Sequence, residues 1–136
     1  MRWAEQYIGL PFKDFGRDFN GVDCWGLVRL VLKRECDIEV PSYGEISARD
    51  LIVSKTIKQE SSSEPWSEVR RNDVQAFDVA LLRGRPMHVG IMISPELLLH
   101  VEEKTNAVLL PLTHFSVAGR LIGFRRHRDL ICNRAA

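Results

Sequence analysis

Several features that would assign the chain to a specialised class are missing from its 136 residues. It has only three cysteines, and no two of them are spaced as Cys-x-x-Cys, which argues against a disulfide framework and a cysteine-ligated zinc site. The 19 basic and 18 acidic residues nearly cancel, which argues against binding to nucleic acid by bulk electrostatics. We therefore expect no metal, no cofactor and no nucleic-acid partner.

Long hydrophobic runs are also absent. The two longest are Leu27–Leu32, which Arg29 interrupts, and Val89–Ile93, and both are far too short to cross a bilayer. The first residues include Glu5 and lack the apolar stretch that a signal peptide needs. We expect no membrane insertion, and synthesis in the cytoplasm without a signal peptide.

What is present is the composition of an ordinary globular protein, with 45% hydrophobic and 27% charged residues. The length fits one domain and is sufficient for a core that needs no metal or disulfide. We therefore predict a single domain over residues 1–136.

Helical signals dominate the first half of the chain. Residues 2–8 place Trp3 and Tyr7 on one helical face. Asp23 is a good N-cap for a helix that follows it and is apolar on nearly all sides. Ser47 resembles the start of a capping box and predicts another helix that runs to about Lys58.

Strand signals dominate the second half, after a segment, residues 64–73, that we predict to be a loop. Five apolar runs are separated by turn residues at a spacing typical of an antiparallel sheet, and they span residues 77–82, 88–93, 97–101, 108–112 and 121–126. Pro111 restricts its run to a sheet edge. Helices followed by strands predict an α+β fold with a sheet of about five strands.

Cys24 is the residue most able to carry chemistry. As the first helical residue after the Asp23 cap, its thiol would face the positive end of the helix dipole. That position favours the thiolate, so we expect a lowered pKa and a nucleophilic sulfur. The alternative is a small buried hydrophobic residue without chemistry, which is how we interpret Cys36 and Cys132.

Two histidines are candidates for the base that a thiol nucleophile needs. His88 begins one apolar run and His100 ends the next, and the turn at Ser94-Pro95 would make the two runs an antiparallel hairpin. The hairpin would bring both rings to the same end of the sheet. For His114 and His127, which lie among loop or charged residues, we expect surface positions.

These segments resemble the NlpC-type cysteine peptidases, which are papain-like enzymes of bacterial cell walls. Tyr7-Ile-Gly-Leu-Pro-Phe12 resembles the opening element of that family, and Asp23-Cys-Trp-Gly-Leu-Val28 resembles its nucleophile motif. Ala76–Leu82 resembles the strand before the histidine, His88-Val-Gly-Ile-Met-Ile93 the base motif, and Leu99-His100 the segment with the third polar residue. The resemblance spans most of the chain in the family's order.

The resemblance implies a papain-like fold with the nucleophile at a helix N-terminus packed on the sheet. It implies a catalytic triad of Cys24 as nucleophile, His88 as general base and His100 as the residue that orients His88. The substrate would be the peptidoglycan stem peptide, cleaved at an amide bond. The backbone N–H of Cys24 would be an oxyanion donor.

The substrate-binding positions depart from the family pattern. Asp23, Phe12 and Trp25 occupy positions that help to hold the free amine of the substrate in cell-wall relatives, where two of the three residues carry hydroxyl groups. Phe12 and Trp25 have none, so the same specificity need not follow. Tyr7 or Tyr43 could supply a substitute hydroxyl.

The Asp-Cys-Trp-Gly-Leu-Val variant and the ending Ile122-Gly-Phe-Arg-Arg-His127 resemble the branch of the family found in tail-assembly proteins of tailed phages and phage-derived particles. This implies tail or baseplate proteins as partners and incorporation into a particle tail. Two alternatives stay open: a catalytically silent structural or assembly subunit, and an acyl-transfer or other amidase activity with the same triad.

Overall fold

The computed structural model describes residues 2–130; Cys132 lies outside this range. The described part has four α-helices, which are α1 (Arg2–Glu5), α2 (Cys24–Cys36), α3 (Ile52–Ser61) and α4 (Phe115–Ala118). It also has eight β-strands, which are β1 (Arg17–Asp18), β2 (Gly21–Val22), β3 (Trp66–Val69), β4 (Val79–Leu82), β5 (His88–Met92), β6 (Leu97–His100), β7 (Val108–Pro111) and β8 (Leu121–His127).

The α+β prediction is confirmed, but the main sheet has six strands rather than about five. Its order is β3-β8-β4-β5-β6-β7, and every neighbouring pair is antiparallel. β7 lies at an edge, as Pro111 predicts. Strands β1 and β2 form a separate two-stranded hairpin just before α2.

The additional strand, β3, lies within residues 64–73, where a loop was predicted. Its sequence, Trp-Ser-Glu-Val, has no strong strand pattern, and its middle residues are exposed. It is a strand because it pairs along its whole length with β8, from Trp66 opposite His127 to Val69 opposite Phe124. Such a strand is specified by its partner rather than by local preference.

Two helix predictions differ from the structure at their ends. The first helix ends at Glu5 rather than at residue 8. The helix predicted from Ser47 begins only at Ile52 and has no side-chain cap. Ser47 is used elsewhere, because its hydroxyl bonds the Asp14 carboxylate, which also accepts from the Ala48 backbone N–H at 2.7 Å.

Helix α2 is fixed at both ends. The Asp23 carboxylate accepts from the Gly26 backbone N–H at 2.8 Å, which confirms the predicted N-cap. At the other end Asp37 adopts the left-handed conformation, and its backbone N–H bonds the carbonyls of Leu32 and Lys33.

The sheet has an apolar layer on each face. One core joins α2 to the sheet and includes Leu27, Val28, Val31, Val79, Leu81, Val89, Ile91 and Leu99. A second core contains their strand neighbours and α4, and includes Ala80, Leu82, Met92, Leu98, Val117 and Phe124. This alternation is the period of two expected of strands covered on both sides. The cores hold the start of α2 against the start of β5, where the candidate site lies.

Candidate active site

Cys24 is the first residue of α2 and is only 7% exposed. Its sulfur accepts hydrogen bonds from the backbone N–H groups of Trp25, in its own helix, and of Val89, in β5. The second bond joins the helix N-terminus to the strand that begins with His88. Cys24 and His88 line the same cleft.

The expected lowering of the Cys24 pKa is not observed. Burial raises the pKa of this thiol to about 12, and the negative charge of Asp23 raises it further. The two backbone N–H groups and the Arg17 guanidinium act in the opposite direction without offsetting burial. The helix N-terminus does lower the pKa of the Cys24 thiol, but the cost of placing a charge in an apolar core is larger. Cys24 is therefore a neutral thiol in the resting protein.

His88 and His100 lie side by side, as the hairpin argument predicts. Nε2 of His88 is 2.9 Å from Nδ1 of His100, and the ring centroids are 5.1 Å apart. Both rings are buried, at 7% and 3% exposure. The antiparallel pairing of β5 and β6, with Ile91 opposite Leu99, places the start of one strand beside the end of the other.

The contact between the two rings restricts their tautomers, because one nitrogen must donate and the other must accept. If His88 carries its proton on Nε2 and donates it to His100, then Nδ1 of His88 keeps a lone pair. That nitrogen can take a proton from another group while the bond to His100 persists. In the opposite tautomer pair His88 has no such lone pair.

Both imidazoles are neutral over the ordinary pH range. Burial, followed by the neighbouring His100, lowers the pKa of His88 to about 3. Burial also lowers the pKa of His100. A resting thiolate–imidazolium pair is therefore disfavoured, and the arrangement is suited to proton transfer during a reaction.

An ion pair that sequence reasoning missed lies next to the histidines. A carboxylate oxygen of Glu102 is 3.9 Å from Nδ1 of His100, and Arg120 donates to the same carboxylate at 3.1 Å. Glu102 raises the pKa of both histidines against the effect of burial. Its position two residues after His100 was the available signal, but Arg120 is distant in sequence and gave none.

Asp23 is committed to contacts within the protein. One carboxylate oxygen bonds Arg17 at 2.7 Å and caps α2 through Gly26, and the other accepts from the Phe15 backbone N–H at 3.1 Å. The side chain is 3% exposed. A substrate amine would have to displace one of these partners, so the substrate-binding role stays a prediction.

Replacing Asp23 by alanine tests which role dominates. We expect a loss of about 3 kcal/mol in the free energy of unfolding, because the helix loses its cap and Arg17 loses its partner. Urea denaturation would measure the loss, with Asp18→Ala as the control because Asp18 is exposed. Unchanged stability combined with a raised KM would instead favour substrate recognition.

Two clefts meet at Cys24. The polar cleft also contains Phe12, Arg49, His88, Glu102 and Arg120. The apolar cleft is lined instead by Trp25, Tyr43, Val53, Ile57 and Trp66. The two predicted aromatic positions thus line different clefts, Phe12 the polar cleft and Trp25 the apolar one.

The surface position expected for His127 is wrong. It is 5% exposed, and its ring packs edge-on against Trp66 with centroids 5.1 Å apart. Burial follows from the pairing of β8 with the unpredicted strand β3. His114 is half-buried and caps α4 by accepting from the Ser116 backbone N–H.

The fold and the cluster of a helix-terminal cysteine with two paired histidines together define a papain-like class of protein. The profile of the NlpC/P60 family matches residues 9–126. The chain therefore belongs to the NlpC/P60 family. No curated protein sequence matches it.

Solved structures share the fold. The NlpC/p60 domain of the peptidoglycan hydrolase SagA has a TM-score of 0.59 at 23% identity, with 90% of each chain covered. A lipoprotein-like NLP/P60 protein of Staphylococcus aureus subsp. aureus Mu50 has a TM-score of 0.66 at 21% identity, covering 93% of this chain and 39% of that one. An NlpC/P60 protein of Bacillus cereus ATCC 10987 has a TM-score of 0.68 at 19% identity, covering 93% of this chain and 38% of that one. The chain thus spans about two fifths of the length of the two larger relatives.

None of the helices within residues 2–130 is long and apolar enough to cross a membrane.

Proposed function

We propose that the chain is a cysteine peptidase that hydrolyses amide bonds in peptidoglycan stem peptides. Cys24 is the nucleophile, His88 the general base and His100 the residue that orients His88. The observation that carries this proposal is the 2.9 Å contact between His88 and His100 at the start of the strand whose Val89 N–H bonds the Cys24 sulfur. The family membership supports the same substrate class.

In the proposed reaction the Cys24 sulfur attacks the scissile carbonyl carbon as its proton passes to Nδ1 of His88. The imidazolium that forms keeps its Nε2–H bond to His100. His88 then donates the proton to the leaving amine, and a thioester remains on Cys24. Water, deprotonated by His88, hydrolyses the thioester and restores the thiol.

The backbone N–H of Cys24, at the N-terminus of α2, is the proposed donor to the oxyanion. A donor of this kind stabilises a transition state by about 3 kcal/mol. The neutral resting pair is compatible with this reaction because the charges develop only as the carbonyl is attacked.

Peptidoglycan digestion with mass analysis of the products tests the proposal directly. We expect wild-type protein to release fragments cut at one amide bond of the stem peptide, and Cys24→Ala to release none. The matched control is Cys36→Ala, since Cys36 is also a buried cysteine of α2. Equal loss of activity in both variants would contradict the assignment of Cys24 as the nucleophile.

The apolar cleft indicates which substrates fit best. The polar groups along it are bonded within the protein: the Trp25 Nε1–H donates to the Pro41 carbonyl at 2.7 Å, and the Tyr43 hydroxyl bonds Glu60. The cleft therefore presents mainly carbon to a substrate, so we propose that it receives an apolar group next to the scissile amide.

Replacing Ile57 by glutamate places a charge in this cleft. For substrates with an apolar group at that position, we expect KM to rise about tenfold with kcat less affected. Steady-state kinetics on synthetic peptides would measure both constants. Ile122→Glu is the control, because Ile122 is exposed on β8 and does not line either cleft. An unchanged KM in Ile57→Glu would show that the apolar cleft does not bind the substrate.

We further propose that the chain is made in the cytoplasm and incorporated into the tail of a phage or phage-like particle, where it opens the cell wall locally. The Asp23–Val28 motif variant and the Ile122–His127 ending support this context. Mass spectrometry of purified particles would detect the chain in the tail fraction. Its absence from intact particles, with abundant free protein in the lysate, would contradict this context.

One observation favours a second candidate, a catalytically silent assembly subunit. Cys24 is buried and its pKa is raised, so no activated thiolate exists at rest. The silent subunit would retain particle assembly in Cys24→Ala and would show no turnover on any peptidoglycan. The digestion experiment separates the two candidates.

A further inference from the structure

Three potential metal ligands converge beside the proposed triad. One ring nitrogen of His88, one of His100 and a carboxylate oxygen of Glu102 all lie within 4.8 Å of one another. Nε2 of His88 and Nδ1 of His100 already share one proton at 2.9 Å. The sequence analysis predicted no metal, and the cluster of these three ligands departs from that prediction.

The spacing suits a small divalent cation. Zinc bonds of about 2.0–2.1 Å in a tetrahedral arrangement place ligand atoms about 3.3 Å apart. The two imidazole nitrogens, at 2.9 Å, would need to separate by only a few tenths of an ångström. Two histidines and one glutamate are also a known zinc ligand set.

Access and the second ligand shell are both present. The polar cleft reaches His88 and Glu102 from solvent. Arg120 now holds the Glu102 carboxylate at 3.1 Å, and it also donates to the Arg83 carbonyl at 2.9 Å. Arg120 can therefore keep a partner while Glu102 turns toward a cation.

We propose that His88, His100 and Glu102 form a binding site for a divalent cation of the zinc type, and that occupancy inhibits the chain. The cation takes the lone pairs of His88 Nε2 and His100 Nδ1, and the proton that these two nitrogens shared moves to Nδ1 of His88. With Nδ1 protonated, His88 cannot accept a proton from Cys24. The inhibition rests on the proposed function, whereas the binding does not.

Cobalt(II) titration of the full chain, followed by visible absorption, tests the binding. The probe protein is Cys24→Ala, which lacks the nearby thiol and is inactive in the proposed reaction. We expect intense ligand-field bands of a tetrahedral site at one equivalent of cobalt, and displacement of these bands by zinc. Absence of saturable bands would overturn the proposal.

Variants made in the same Cys24→Ala background identify the ligands. We expect Glu102→Gln to weaken cobalt binding by about tenfold or more. Glu96→Gln is the matched control, since Glu96 lies at the opposite end of the same hairpin and pairs with Arg71. His100→Ala, checked for folding by circular dichroism, should abolish the bands. Unchanged binding in Glu102→Gln or in folded His100→Ala would overturn the ligand assignment.

Inhibition is measured separately in the wild-type chain. We expect zinc at a few equivalents to reduce peptidoglycan hydrolysis about tenfold or more, and a chelator to restore it. Zinc that binds without slowing hydrolysis would overturn the inhibitory part. If wild type shows no hydrolysis at all, the proposed function fails while the cobalt titration still decides the metal site.

Discussion

Cys24→Ala and His88→Ala will each reduce peptidoglycan hydrolysis at least about a thousandfold, while leaving the fold intact. The first variant removes the atom that forms the thioester, and the second removes the acceptor for its proton. In the resting protein Cys24 is a neutral thiol and His88 a neutral imidazole, so neither substitution breaks an ion pair. Circular dichroism of both variants should therefore show native spectra. Turnover is measured from released fragments.

His100 separates orientation from chemistry in the same assay. His100→Ala should cost less than His88→Ala, because His100 only holds the His88 ring through the 2.9 Å contact. His100→Asn offers a side-chain oxygen that can accept from Nε2 of His88, so it should recover part of the lost rate. Full activity in His100→Ala would show that His100 does not orient His88 in the reaction.

The stability of the chain will fall as the pH falls from about 6.5 to about 3, and His88 will account for a large share of the loss. The pKa of His88 is lowered to about 3, so between these values the unfolded chain binds a proton that the folded chain excludes. This contribution is fully present above the unfolded pKa and is lost as the pH approaches 3. Its size is on the order of 5 kcal/mol.

Urea denaturation across this pH range measures the effect in wild type and in His88→Gln. The variant lacks the titrating group, so its stability should fall less steeply with decreasing pH. Parallel curves for the two proteins would contradict the conclusion that His88 is held neutral by burial.

The features that local sequence specifies were predictable. Asp23 capped α2 as expected, because a cap needs only a side chain and the backbone three residues later. The hairpin brought His88 to His100 because its turn and strand period fix the pairing. The edge position of β7 followed from a single proline.

The features that depend on residues distant in sequence could not be predicted from local sequence. Strand β3 exists because β8 pairs with it, and that pairing also buries His127. Ser47 does not cap a helix because its hydroxyl bonds the carboxylate of Asp14, which lies 33 residues earlier. The Cys24 pKa depends on how completely the core between α2 and the sheet buries the thiol, which no local motif reports.

The catalytic roles of Cys24, His88 and His100 stay predictions, and so does the single domain over residues 1–136. The structure shows what the proposed catalytic roles require. Because thiol and imidazole are both neutral at rest, catalysis requires that the proton moves as the sulfur attacks.

The alkylation rate of Cys24 by a small neutral reagent, measured against pH in wild type and His88→Ala, tests this condition most directly. Cys24 has its pKa raised to about 12, so an unassisted thiol would react about tenfold faster for each pH unit up to that value. Our account predicts that the wild-type rate is nearly constant from pH 5 to about pH 8. At neutral pH, the rate of His88→Ala should be far lower than the wild-type rate. A wild-type rate that rises with pH throughout this range and does not depend on His88 would contradict it.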